Sequence, residues 1–147
     1  MILDISTRLA NAFAPTLVAA TAAADYLDLL AAADAGMGND WVWYTNIGLT
    51  FTSGGAGTLD LTLQGNLTDP TFSSDNLTIL DSGVIALATL VRGYEIKLKY
   101  PRGFNVRYLR VVATIATAAM TAGNLSSWLT NDDMQDVKAY PAGYQVS

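Results

Sequence analysis

Every second residue of Thr58-Leu59-Asp60-Leu61-Thr62-Leu63-Gln64 is leucine, the period-two pattern of a strand with one buried and one solvated face. Tyr94-Glu95-Ile96-Lys97-Leu98-Lys99-Tyr100 alternates as cleanly, with all three charges on one face. Pro101-Arg102-Gly103 then predicts a turn, Pro fixing φ and Gly permitting positive φ. Residues 107–116 predict the strand that pairs after this turn, with Leu109, Val111, Ala113 and Ile115 facing one way. A longer strand is expected over 41–51, where Gly48 marks a bulge or a close approach. Residues 76–80, 84–91 and 125–130 supply the remaining strands.

Loops with strong punctuation separate these segments: Ser53-Gly54-Gly55-Ala56-Gly57, Thr68-Asp69-Pro70 and Ala122-Gly123-Asn124. Short strands broken by such turns point to an antiparallel sandwich or barrel. Residues 16–34 read two ways. Their alanines favour a helix capped by Asp25 and ended near Gly36, while Tyr26-Leu27-Asp28-Leu29 fits a strand. An early strand followed by a loop is the preferred reading. The expected organisation is one domain: an N-terminal arm over 1–15, a β-sandwich over 16–130 and a C-terminal arm over 131–147.

Composition narrows the chemistry. The 147 residues include no histidine, no cysteine and a single glutamate, Glu95. Histidine titrates near neutral pH without help and cysteine is the readiest nucleophile. Ser-His-Asp triads, Cys-His pairs and His or Cys metal sites are therefore excluded, and no enzymatic activity or cofactor is expected. A 51% hydrophobic fraction with 14% charge argues for a packed core rather than disorder. No basic leader opens the chain, and the apolar stretch over 9–24 is broken by Asn11 and Pro15, so no membrane partner is expected. A net charge of −5 argues against nucleic acid. Six of the eight basic residues (Arg92, Lys97, Lys99, Arg102, Arg107 and Arg110) nevertheless fall in one stretch, either a basic edge for an acidic protein or a solvated strand face.

Carboxylates are the remaining candidates for chemistry. Asp25 and Asp28 point to opposite faces if they lie on a strand, and no motif marks a glycosidase-type pair. Asp132, Asp133 and Asp136 form the densest acidic cluster but lack the glycine and bidentate glutamate of a calcium loop, so a solvated loop is the better reading. Three Asn-x-Ser/Thr triplets, at Asn66, Asn76 and Asn124, read as chance matches in a chain rich in these residues. Trp41, Trp43 and Tyr44 suit sugar stacking in principle, but Trp41 and Trp43 share a strand face, which favours core or interface packing. Tyr140 and Tyr144, beside Pro141 and Gly143, read as docking aromatics on an arm.

Several segments, in order, resemble a known family. They are Met1-Ile2-Leu3-Asp4, Asp28-Leu29, the turn over 36–38, residues 61–64 with the following loop and its Phe72, the strand over 94–100 with its Pro-Arg-Gly turn, Arg107-Tyr108-Leu109-Arg110, and Tyr140-Pro141-Ala142-Gly143-Tyr144. Together they are similar to the Bbp16-like capsid cement (decoration) proteins of tailed bacteriophages. The match spans nearly the whole chain, and no single motif in it is specific. The Ala-rich stretch over 16–33 and Trp41-Val42-Trp43-Tyr44 depart from the family pattern.

The resemblance implies an all-β, antiparallel jelly-roll-like sandwich with extended N- and C-terminal arms. It further implies a virion protein on the outer surface of a phage capsid, clamping neighbouring major capsid subunits of the HK97 type as a homo-oligomer, dimer or trimer. The capsid-contact candidates are Met1, Ile2 and Leu3, the basic residues Arg102, Arg107 and Arg110, and the C-terminal Tyr140, Pro141 and Tyr144. A carbohydrate-binding sandwich using Trp41, Trp43 or Tyr44 is the first alternative, and a head-tail or tail component is the second.

Overall fold

The computed structural model describes residues 5–36 and 41–130. Nine strands follow one another: β1 (Arg8–Phe13), β2 (Ala20–Ala22), β3 (Leu27–Asp34), β4 (Val42–Ser53), β5 (Thr58–Asn66), β6 (Leu77–Ala86), β7 (Glu95–Lys99), β8 (Asn105–Ala116) and β9 (Met120–Thr130). They form two antiparallel sheets, β1-β9-β4-β7 and β2-β8-β5-β6, and β3 extends the line of β2 along β8. The pairs β1 with β9, β2 and β3 with β8, β4 with β7, and β5 with β6 are those of one long hairpin folded at its middle. Rolling that hairpin adds the pairs β4 with β9 and β5 with β8, which closes it into a jelly roll.

Period-two patterning fills the space between the sheets. Leu59, Leu61 and Leu63 of β5 are fully buried and meet Leu109, Val111, Ala113 and Ile115 of β8, the four residues the alternation assigned to one face. The first sheet contributes Trp43, Ile47, Phe51, Leu125 and Leu129. The buried polar groups of Trp43, Thr45 and Ser127 in this layer are paired with one another. The Trp43 indole Nε1 donates to Ser127 Oγ at 2.7 Å, and Thr45 Oγ1 shares a hydrogen bond with the same hydroxyl at 2.9 Å. Gly48 does mark an irregularity: the β4–β9 register shifts between Ile47 and Leu49, and a Cβ at Gly48 would lie 2.6 Å from Asn124 Oδ1.

Four local expectations are corrected. Residues 8–13 are not an arm: β1 pairs with β9 and buries Leu9 and Ala10 completely, so this segment is part of the sandwich. Residues 16–34 form strand as preferred over helix, but as two strands on β8, the second running to Asp34 in place of the expected loop, because β8 offers a free edge along its length. The segments 76–80 and 84–91 are not two strands. One strand, β6, runs from Leu77 to Ala86 and a 3-10 turn, Leu87–Thr89, ends it. Ala122-Gly123-Asn124 is no turn but an irregularity inside β9. Gly123 takes φ +127°, and a side chain there would strike the Phe51 ring at 2.4 Å.

One polar pair strains the outer surface of the second sheet. Asp60 of β5 faces a kink in β6 where Asp81 stands opposite Thr62 and Gly83 has φ +72°. Partial burial raises the Asp60 pKa above its ordinary 3.8, and the neighbouring Asp81 carboxyl raises it further. A raised carboxyl favours the folded state at low pH, and that contribution is lost as pH rises through the folded-state pKa. Asp60→Asn is therefore expected to be more stable than wild type at pH 7. The gap should shrink as pH falls towards 4 in denaturant titrations, and a gap independent of pH would contradict it. Within the core, the Tyr100 hydroxyl is buried with no hydrogen-bond partner among the described residues, and burial pushes its pKa up to about 12. Tyr100→Phe removes this unsatisfied group and is expected to raise unfolding free energy by about 1 kcal/mol. A loss of stability in urea unfolding would contradict that expectation.

Candidate functional site

The outward face of the second sheet carries the densest constellation of charged and aromatic groups. Register puts it there: in the β5–β8 pair Gln64 stands opposite Arg110 and Asn66 opposite Tyr108, while β3 sets Asp28 opposite Tyr108. Asp28 accepts two hydrogen bonds from Arg107, from Nε at 2.9 Å and Nη2 at 3.1 Å. This fork-to-carboxylate geometry holds the Asp28 carboxyl below its ordinary range, and it raises the Arg107 guanidinium in turn. The Arg107 guanidinium lies 4.9 Å from the Tyr108 ring centre, and Tyr26 meets the same ring edge-on at 5.9 Å and 77°.

A folded loop covers the neighbouring part of this face. Asn66 ends β5 and is buried. Its Oδ1 accepts from the backbone N–H of Thr68 at 3.0 Å and Asp69 at 2.8 Å, and its Nδ2 donates to Asn76 Oδ1 at 3.0 Å. Asp69 accepts the N–H and the hydroxyl of both Thr71 and Ser73, which holds its carboxyl far below the usual carboxylate range. Asn76 Nδ2 donates to Phe72 O at 2.8 Å. Phe72, at φ +54°, is thereby laid on the sheet, where the Arg110 guanidinium stacks 4.4 Å from its ring centre. Phe72, Tyr108 and Val112 are buried yet stand apart from the cluster between the sheets, so this face has its own small packed layer.

Arg110 differs from Arg107 in its partners. Its Nε and Nη2 donate to Gln64 Oε1 at 3.1 and 2.9 Å, a neutral acceptor. Burial lowers its pKa, an effect the Asp69 charge opposes. Beside it runs a groove of about 200 Å³ lined by Ala23, Ala24, Asp25, Tyr26, Thr71 and Arg110, among others.

Two of the three arginines singled out from sequence therefore occupy a face rather than an edge. Arg107 and Arg110 lie on β8, which has neighbours on both sides, and Arg102 is exposed in the turn before it. That turn is fixed by Gly103 at φ +100°, whose N–H donates to Asp34 at 2.8 Å. Lys97 belongs to β7 at the edge of the other sheet and pairs with Glu95 at 2.9 Å. Met1, Ile2, Leu3, Tyr140, Pro141, Tyr144 and the acidic cluster Asp132, Asp133 and Asp136 lie outside the described residues. The ion pair of Asp28 with Arg107 and the stacking of Arg110 on Phe72 carry no sequence signal, since each joins residues far apart in the chain.

The aromatics considered for sugar binding are enclosed. Trp43 is fully buried, Tyr44 is 4% exposed, and Trp41 is half-buried against the core. Tyr44 stacks on Trp128 at 5.8 Å and donates to Glu95 at 2.8 Å. No group of three or more acidic residues among the described residues is arranged to hold a metal ion.

Among curated proteins none matches this sequence. The family model described as Bbp16 matches residues 10–129, which runs from β1 almost to the end of β9 and includes both sheets and the whole outward face. The chain belongs to the Bbp16 family.

Proposed function

We propose that this protein is a capsid cement protein, a non-catalytic virion component that binds the outer surface of an HK97-type phage head and clamps neighbouring major capsid subunits. The observation that carries the reading is the family match over residues 10–129, which supports a phage structural protein. Its outward face adds physical support. Arginine and tyrosine are the residue types that dominate protein–protein hot spots, and here they sit on a sheet held rigid by β8 and β5.

Clamping works by avidity. A rigid body that touches several subunits makes its later contacts intramolecular, which raises affinity by about 10²–10⁴ over a single contact. Each contact can then be of ordinary size, roughly 800 Å² per partner. Assembly as a small oligomer multiplies the contacts further and is part of the proposal. The C-terminal Tyr140, Pro141 and Tyr144 and the N-terminal Met1, Ile2 and Leu3 are proposed as additional contacts on adjacent subunits.

Cosedimentation with expanded, protein-depleted heads of the cognate phage tests this reading. Saturable binding at a fixed ratio to capsid subunits is expected, and absence of binding at low salt would overturn it in favour of a head-tail or tail position. Removal of the last eight residues is expected to weaken head binding at least tenfold with thermal unfolding unchanged. Equal occupancy by the truncated protein would remove the C-terminal contact from the proposal.

A further inference from the structure

We infer that the groove beside Arg110 is a receptor for a carboxylate side chain of the capsid protein, and that Arg110, not Arg107, supplies the attractive charge. The inference rests on the capsid-binding reading and assigns its central contact.

Three observations lead to it. First, the two arginines of the outward face are in opposite electrostatic states. Arg107 is neutralised within the molecule by both oxygens of Asp28. Among the described residues Arg110 has no carboxylate within ion-pair distance, and there the one acceptor of its guanidinium is the neutral Gln64. The acid nearest to it in electrostatic effect, Asp69, already accepts four hydrogen bonds from Thr71 and Ser73. A partly buried cation without a counter-ion has lost water and gained no charge partner, so an incoming anion gains more here than at a solvated arginine.

Second, the guanidinium is positioned before any ligand arrives. Gln64 holds one side of the fork and the Phe72 ring supports one planar face. Arg110 lines a concave space whose other walls include Ala23, Ala24, the half-exposed Tyr26 and Thr71. A volume near 200 Å³ suits the end of an aspartate or glutamate side chain with part of its backbone. A planar fork in a fixed place is the arrangement that favours carboxylate recognition.

Third, charge selects the occupant. The protein carries −5 overall, so long-range repulsion disfavours another acidic molecule in general. A positively charged point set inside that field distinguishes one carboxylate placed in the groove from acidic surfaces at large. Asp25 lines the same groove without an ion pair to Arg110, and its charge raises the cost of any anion there, so only one that reaches the Arg110 fork gains.

Head binding of point variants, at matched salt, provides the test. Arg110→Gln is expected to weaken binding by about 30-fold, the scale for truncating one member of a desolvated charge pair. Arg107→Gln is expected to change it less than threefold, because that charge is already satisfied. Ala24→Glu, which places a carboxylate at the groove's exposed rim, is expected to weaken binding to a similar extent as Arg110→Gln and guards against misfolding of the arginine variant. Wild-type binding with all three variants unaffected would overturn the groove while leaving the capsid reading intact. Loss of self-association in Arg110→Gln with head binding unchanged would assign the groove to a second copy and overturn the capsid carboxylate. A capsid-free arm separates the two ideas: NMR titration of the wild type with acetyl-glutamate amide is expected to shift the Arg110 Nε–H signal and not that of Arg107. Acetyl-glutamine amide is expected to shift neither. An unmoved Arg110 signal would overturn the site whether or not the protein binds heads.

Discussion

The register between β5 and β8 is the constraint on which most of this molecule depends. Thr58–Asn66 and Tyr108–Ala116 run opposite each other without interruption, so one alignment decides both faces of the second sheet. Inward it stacks Leu59, Leu61 and Leu63 on Leu109, Val111, Ala113 and Ile115. Outward it places Gln64 under Arg110 and Asn66 beside Tyr108. A slip of one residue would turn the leucines to water and bring Asp60, Thr62 and Gln64 into the core. Core packing and the outward face are therefore two readings of a single pairing, and the apolar gain on one side fixes the polar geometry on the other.

The edges of the sheets are managed differently from their centres. β7 is short and presents Glu95, Lys97 and Lys99, charges that deter pairing with another strand. β1 has two register shifts and a positive φ at Ala12, and β3 has a shift with a positive φ at Leu30. β6 is the longest exposed edge, and it is kinked at Gly83 beside the Asp60 and Asp81 carboxyls. The edges at β1, β3, β6 and β7 thus carry either charge or an irregularity, which discourages strand addition there.

Legibility in the sequence followed burial. β5, β7 and β8 are readable because one face of each packs between the sheets, which imposes alternation on Leu59–Leu61–Leu63 and on Leu109–Val111–Ala113–Ile115. β1 escapes the pattern because its six residues, with two register shifts, never complete a period, and pairing with β9 accounts for the buried Leu9 and Ala10. β2 and β3 were obscured by alanine, which favours a helix in isolation but fits a strand where β8 supplies hydrogen-bond partners. The arginines stood out as a run of charge, yet their separate fates did not. Whether an arginine is neutralised depends on Asp28, 79 residues away from Arg107, and chain proximity carries no trace of that. The family resemblance reached further than pattern in one respect, the two-sheet jelly-roll sandwich, and not in these pairings.

The loop between β5 and β6 has a kinetic meaning. Asn66 and Asp69 tie its backbone at several points, and Asn76 anchors Phe72 from the far side. Such a segment has already surrendered its conformational entropy during folding, so little remains to be lost when a second surface arrives. If the proposed docking uses this side of the protein, encounter there is limited by diffusion and orientation instead of by a search through loop shapes. Differences between strong and weak contacts should accordingly be written in how long a complex lasts, with the rate of its formation nearly constant.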